Sequence, residues 1–304
     1  MPSKYLITVV GPTAIGKTKL AIALAKYYKT EIISADSRQF YREMSIGTAV
    51  PSKQELEAVP HHFIQHKSIQ ETYNVGDFEK DTLILLELLF KNNDLNIMVG
   101  GSGLYVDAVI YGLDSFPEVD EEIRIQLNTV YKQHGIEVLQ NQLKELDPEY
   151  YAKVDIQNPH RIIRALEICI GAGKTFSSYI NQKKTPRSFN SIIVGLSADR
   201  SILYRKINKR VDTMIENGLI DEARTLYQYK HLNALNTVGY KELFNYFDGI
   251  WDLDFAISEI KKNTRRFAKR QLTWFGKNKD ILWVDHTAPF EEIIAKIENI
   301  KSTI

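Results

Sequence analysis

Apolar residues cluster in short runs at Tyr5–Val10, about Glu31–Ala35, Asn96–Val99, Asn190–Leu196 and Ile281–Val284. Between these runs lie longer stretches in which apolar residues return every three or four positions, as at Leu20, Ala21, Leu24 and Ala25. The runs predict buried strands and the spaced stretches predict amphipathic helices. Their alternation predicts an α/β fold, a three-layer core in which helices cover both faces of a parallel sheet. In such sheets the ligand lies beyond the carboxyl ends of the strands. The loops after the first three runs are therefore expected around one cleft.

The stretch from Pro117 to about Asn158 breaks this alternation. It is polar and charged, with helical spacing at Ile123, Leu127 and Val130 and again at Val138, Leu139, Leu143 and Leu146, and it holds no convincing strand. This predicts a helical insertion running on to about Thr185. Residues 1–116 would form the first part of the core, 117–185 the insertion, and 186–304 the return to the core, ending in basic helices.

The first apolar run leads into Gly11, Pro12, Thr13, Ala14, Ile15, Gly16, Lys17 and Thr18, which fit GxxxxGK[ST]. Backbone N–H groups of such a loop cradle phosphate, and the following helix adds its N-terminal dipole. Lys17 would neutralise outer phosphate oxygens and Thr18 could hold a bridging Mg²⁺. The core is thus expected to be like that of P-loop NTPases, with nucleotide or ATP binding among its possible uses. A regulatory or motor NTPase would normally carry an acid at the end of a neighbouring strand, but Asn96–Val99 ends in Gly100 and Gly101. Asp36 is the strong acidic candidate in this half. It fits a Mg²⁺ ligand, a general base or a helix cap.

Composition narrows the class. The 304 residues are 44% hydrophobic and 25% charged, with a net charge of +1, as in an ordinary globular enzyme. The single cysteine, Cys169, excludes a disulfide scaffold and fits a reducing, cytoplasmic setting. It falls on a helical apolar pattern and is expected in the core. Met1 stands close before the first strand, so no signal peptide is expected. No apolar run approaches the length of a membrane span. His61 and His62 are adjacent and lack spaced partner ligands, so packing or a hydrogen bond to a bound partner is expected of them rather than zinc. Trp251 reads as packing, and Trp274 as packing or a neighbour of a bound partner.

The charge is unevenly spread. From Lys261 to Lys279 there are eight Lys or Arg and no Asp or Glu. Helical spacing puts Arg266 and Arg270 on one face and Arg265 and Lys269 on another, beside Phe267, Trp274 and Phe275. This pattern predicts a helix that meets a polyanion.

Seven blocks in order now carry a resemblance: GPTAIGKT (Gly11–Thr18), ADSRQFYREMSIGTA (Ala35–Ala49), VPHHFI (Val59–Ile64), VGGSGLY (Val99–Tyr105), NPHRIIRALEI (Asn158–Ile168), VGYKEL (Val238–Leu243) and TRRFAKRQLTWF (Thr264–Phe275). Nearly the whole chain resembles the tRNA dimethylallyltransferase family. That resemblance implies transfer of a dimethylallyl group from its diphosphate to N6 of adenosine 37 in tRNA, with Mg²⁺ as cofactor. The glycine loop would hold the diphosphate of the prenyl donor. Asp36 would hydrogen-bond N6 and act as base, and Arg210 would close over the diphosphate. Ser37, Arg38, Gln39, Ser102, Arg124, Arg161, Arg164, Arg266 and Arg270 would meet tRNA. Ser102 stands where the family usually has threonine. Val50, Gln65 and Gly276 replace the family's usual lysine, aspartate and arginine, so a local contact is in question at each. A monomer is expected. A small-molecule or nucleotide kinase is the alternative, sharing the glycine loop but needing neither the basic helix nor the insertion.

Overall fold

After Tyr5, every residue of the first strand is buried, because both faces of the sheet are covered. The computed structural model describes residues 3–180, 182 and 184–303; Met1, on which the signal-peptide expectation rests, lies outside them. In chain order, β1 (Tyr5–Val10), α1 (Lys17–Tyr28), β2 (Ile32–Ser34), α2 (Lys53–Ala58), β3 (His61–His62), α3 (Val75–Leu89), β4 (Leu95–Val99) and α4 (Gly103–Tyr111) come first. Then follow α5 (Glu121–His134), α6 (Ile136–Leu146), α7 (Pro148–Tyr151) and α8 (Pro159–Ala172). The chain returns through β5 (Asn190–Ser197), α9 (Arg200–Glu216), α10 (Leu219–Leu226), α11 (Tyr240–Phe247), α12 (Leu253–Phe275), β6 (Leu282–Asp285) and α13 (Phe290–Thr303). Two compact units result, 1–111 with 187–304, and 112–186.

The first unit holds a six-stranded sheet in the order β3-β2-β4-β1-β5-β6, and every pair is parallel. Alternate side chains feed two cores, as strand geometry requires. Ile7, Ile32, Ile97 and Val194 join Leu24 of α1, Ile207 of α9 and Ile297 of α13. Leu6, Ile33, Met98 and Ile193 join Phe78 of α3 and Val109 of α4. The sheet is therefore the middle of three layers. Helix α12 gives Ala268 to the first core and Phe275 to the second. The turns between those residues consequently pass from one layer to the other. A third cluster joins α9, α10, α11 and α12 through Val211, Leu219, Leu243 and Ile260, with Tyr41 and Met44.

β3 departs from the sequence reading. His61 and His62 pair in parallel with Ile32 and Ile33, and their rings are tied down within the protein. His61 Nδ1 lies 2.7 Å from the Val59 carbonyl, and His62 Nε2 lies 2.5 Å from Glu31. Two polar residues give no apolar run, so nothing in the local pattern marks this edge strand.

The second unit is built from α5 to α8 around Leu127, Leu139, Leu143, Ile162, Leu166 and Cys169. Burial pushes the Cys169 thiol up, which suits packing rather than nucleophilic chemistry. Asp147, fully buried, accepts the Tyr150 N–H at 2.9 Å, the Ser177 N–H at 2.7 Å and the Ser177 hydroxyl at 2.9 Å. A buried carboxylate with these donors anchors the end of α6 to the segment after α8.

Candidate active site

The loop between β1 and α1 bends through Gly11 (φ 139°), Ala14 (φ 66°) and Gly16 (φ 114°). A Cβ on Gly11 would lie 2.7 Å from the Leu196 carbonyl oxygen, so β5 leaves room only for glycine. Gly11, Pro12 and Ile15 are buried behind the loop. Thr13, Ala14, Gly16, Lys17 and Thr18 line a cleft of about 1200 Å³. Lys17 Nζ donates to the Pro12 carbonyl at 2.9 Å across the loop. That lysine is only partly exposed, and enclosure of its ammonium pulls its pKa down to about 8, against the opposing pull of Asp36. Arg210 of α9 reaches the same loop, its Nη1 3.4 Å from the Thr13 hydroxyl. Burial lowers the Arg210 pKa, while Asp36 and Glu55 push it back up. Two enclosed cations with Asp36 as a shared counter-charge make a site that gains from an anion.

Asp36 follows β2 and lines the cleft. Its Oδ1 accepts the Arg38 N–H at 3.1 Å, which fixes the carboxylate in a turn of its own. Ser37 and Ser102, 65 residues apart, meet across the carboxyl ends of β2 and β4. The Ser37 N–H donates to Ser102 Oγ at 3.0 Å, and the two hydroxyls lie 3.0 Å apart. Arg38 and Gln39 also line the cleft, but their side chains hold the protein together. Arg38 Nη1 donates to the carbonyls of Asn233 and Ala234 at 3.0 and 2.9 Å. Gln39 Nε2 donates to the carbonyls of Thr48 and Ala49 at 3.2 and 3.0 Å.

On α12, Arg266, Lys269 and Arg270 are exposed, and Arg270 lines the cleft. The run of unbalanced charge is partly answered in space. Lys261 pairs with Asp212 of α9 at 2.5 Å, Lys262 with Glu259 at 2.6 Å, and Arg265 donates to Asn208 at 2.7 Å. Arg266 lies outside the cleft lining, with Nη1 3.2 Å from the Asn263 oxygen. Trp274, at the cleft wall, donates its indole N–H to Asp107 at 2.8 Å. Trp251 also lines the cleft and packs edge-on against Phe255.

The other three arginines expected at tRNA belong to the helical unit. There Arg124 and Arg164 converge on Glu167 of α8 at 3.5 and 3.2 Å, and Arg161 is exposed about one turn before Arg164. Glu167 is itself buried, so it orients both guanidinium groups.

Two residues of the site escaped the sequence reading. Gln271, buried within the basic run of α12, accepts the Thr13 N–H at 2.8 Å and donates to the Gly101 carbonyl at 3.0 Å. A Cβ on Gly101 would overlap its Nε2. Glu222 of α10 gathers backbone N–H groups of the segment after Gln39. One departure from the family pattern also finds a use. Gln65 Nε2 donates to Ser45 Oγ at 2.7 Å and to the Arg42 carbonyl at 3.1 Å.

Among the described residues, no group of three or more His, Cys, Asp or Glu could hold a metal ion. The donor set fits Mg²⁺ only in the manner of a phosphate-borne ion, with Thr18 beside Lys17 as the protein hydroxyl. No helix of the described residues is long and apolar enough to cross a membrane.

The IPP transferase family model matches residues 39–279. A tRNA dimethylallyltransferase of Flavobacterium johnsoniae is 59% identical over 99% of this chain and 100% of its own length. One from Christiangramia forsetii is 61% identical over 98% of each. Among solved structures, a tRNA isopentenylpyrophosphate transferase from Bacillus halodurans is 38% identical with a TM-score of 0.72, covering 99% of this chain and 96% of that one. A eukaryotic dimethylallyltransferase acting on tRNA is 27% identical with a TM-score of 0.83, covering 99% and 80%. Phosphate loop, strand-end carboxylate and basic helix thus sit on a chain similar to these enzymes over nearly its full length, and the chain belongs to the IPP transferase family.

Proposed function

We propose that this protein transfers a dimethylallyl group from dimethylallyl diphosphate to N6 of adenosine 37 in tRNA, releasing diphosphate, and that it works as a cytoplasmic monomer. The observation that carries the reading is the joint presence, in one cleft, of the glycine loop, Lys17, Arg210 and Asp36. Loop amides, Lys17 and Arg210 would bind the diphosphate and take up the charge that grows on it as the allylic C–O bond breaks. A Mg²⁺ ion held by Thr18 and the phosphates would add further neutralisation of the leaving group.

Adenine N6 is a weak nucleophile because its lone pair is delocalised into the ring. Asp36 would accept a hydrogen bond from the N6 amino group, aim it at the allylic carbon and take its proton as the C–N bond forms. Ser37, Ser102 and the neighbouring cleft wall would receive the extruded base. Arg266, Arg270 and the arginines Arg124, Arg161 and Arg164 of the helical unit would hold the backbone of the anticodon stem-loop.

The test is a transfer assay with Mg²⁺, labelled dimethylallyl diphosphate and either unmodified tRNA or AMP. Label is expected on tRNA alone. Label on AMP alone, or no transfer but consumption of ATP with a small acceptor, would overturn the reading in favour of a nucleotide-modifying enzyme or a kinase.

A further inference from the structure

Helix α10 carries Glu222, whose carboxylate lies under the cleft wall rather than in the cleft lining. One oxygen accepts the N–H groups of Ser45 at 2.9 Å and Ile46 at 2.8 Å. The other accepts the Gly47 N–H at 2.9 Å and the Tyr240 hydroxyl at 2.6 Å. Four donors converge on one carboxylate, which holds three successive amides in a fixed direction. Tyr240 is fully buried, and its ring leaves no space at Gly47, where a Cβ would come within 2.6 Å of it. The segment is gripped from behind by a charge and an aromatic wall together.

What this grip sets is visible on the other side. Residues 47–50 line the cleft. The carbonyls of Thr48 and Ala49 receive both protons of the Gln39 side-chain amide. Gln39 in turn lies 3.4 Å from the Ser34 hydroxyl through its Oε1, and its own N–H donates to the Asp36 carbonyl at 3.0 Å. The chain of contacts therefore runs from α10 through the amides of 45–47 to the wall that begins at Asp36.

The geometry assigns Glu222 as a positioning residue for the acceptor side of the cleft: its carboxylate sets residues 45–49, and through Gln39 the wall next to Asp36, against which the RNA base is received. This rests on the transferase reading given above. Glu222 touches no substrate; it acts by presenting one shape of the wall before RNA arrives, which lowers the ordering cost of binding. The phosphate loop is held by other partners, Gln271 and Arg210, so the donor side is independent of this device.

The experiment compares Glu222→Gln, Tyr240→Phe and Gln39→Ala with the parent protein, using an anticodon stem-loop RNA and dimethylallyl diphosphate. In Glu222→Gln an amide NH₂ must face backbone N–H donors. The expected result is a KM for RNA raised about tenfold or more, as for loss of a charged hydrogen bond, with the KM for the donor unchanged. Tyr240→Phe removes one of the four donors and should give a smaller shift of the same kind. Gln39→Ala should raise the RNA KM and be non-additive with Glu222→Gln. Hydrogen exchange at the amides of 45–47 should accelerate in Glu222→Gln while the amides of β1 and β4 stay protected. Unchanged exchange at 45–47, additive effects, or donor and RNA KM rising together would overturn the assignment. A parent protein that transfers nothing to RNA would instead overturn the transferase reading, and the exchange measurement would still decide whether Glu222 sets the wall.

Discussion

Gln271 and Thr13 are 258 positions apart in sequence, yet the Gln271 side-chain oxygen accepts the Thr13 backbone N–H at 2.8 Å. Because the same amide also donates to the Gly101 carbonyl, one side chain of the basic helix spans the loops after β1 and β4. Gln271→Leu preserves bulk but strands both backbone partners. We expect a stability loss of about 1–3 kcal/mol by urea denaturation and a raised KM for the prenyl donor. Gln271→Glu keeps an acceptor for Thr13 but sets a negative charge beside the phosphate loop, so diphosphate affinity should fall further than in the leucine variant.

Enclosure of the Lys17 ammonium lowers its pKa from the ordinary 10.5 to about 8. Between those two values the unfolded chain binds more protons than the folded one, so this group makes stability rise with pH across that window. On the proposed reading diphosphate binding should have the opposite trend, because it would need the charged lysine. Affinity should weaken by up to about tenfold per pH unit above pH 8, with proton uptake visible by calorimetry in two buffers. Lys17→Met should lower affinity and flatten that dependence; a slope that persists would assign it to another group.

Asp36→Asn keeps size and turn geometry but removes the carboxylate proposed as base. The transfer rate should fall about 10²-fold or more, while equilibrium binding of the donor diphosphate survives. Full activity would rule out proton acceptance at this position.

Arg210 approaches the Thr13 hydroxyl with one arm of its guanidinium. Arg210→Lys retains charge without the planar fork, so donor KM should rise by about tenfold. Arg210→Ala should lose more, mainly in kcat, since charge accumulates on the leaving diphosphate in the transition state. Single-turnover measurements separate the two effects.

Leu143 is fully buried among the helices of the second unit. Leu143→Ala should destabilise that unit by about 2–5 kcal/mol, measured as loss of protection in α5, α6 and α8 by hydrogen exchange. Diphosphate binding at the glycine loop should be unaffected.

The parts legible in the sequence were those whose pattern is local. β1 and β4 are apolar runs buried on both faces, and the glycine loop is a fixed spacing whose backbone angles need Gly11 and Gly16. Asp36 was legible because it follows a strand. What escaped depends on partners distant along the chain. Gln271 is an ordinary polar residue of α12 until Thr13 and Gly101 are brought to it, and Glu222 looks like a surface acid of a short helix until residues 45–47 arrive. β3 escaped because a two-residue edge strand of histidines has neither length nor apolar alternation. The basic run was legible as charge, and the Lys262–Glu259 pair lies within α12 itself, but the pairing of Lys261 with Asp212 required the packing of α9 against α12.

The Ser37 and Ser102 hydroxyls carry two protons between them, and one suffices for their mutual bond. Ser102 Oγ is already an acceptor for the Ser37 amide. Whichever hydroxyl donates to the other, a single proton is left over, and it can swing toward whatever acceptor enters the cleft. The pair is therefore a reversible donor of fixed capacity: it can satisfy one lone pair on an acceptor entering the cleft, from either oxygen, without disturbing the backbone that holds it.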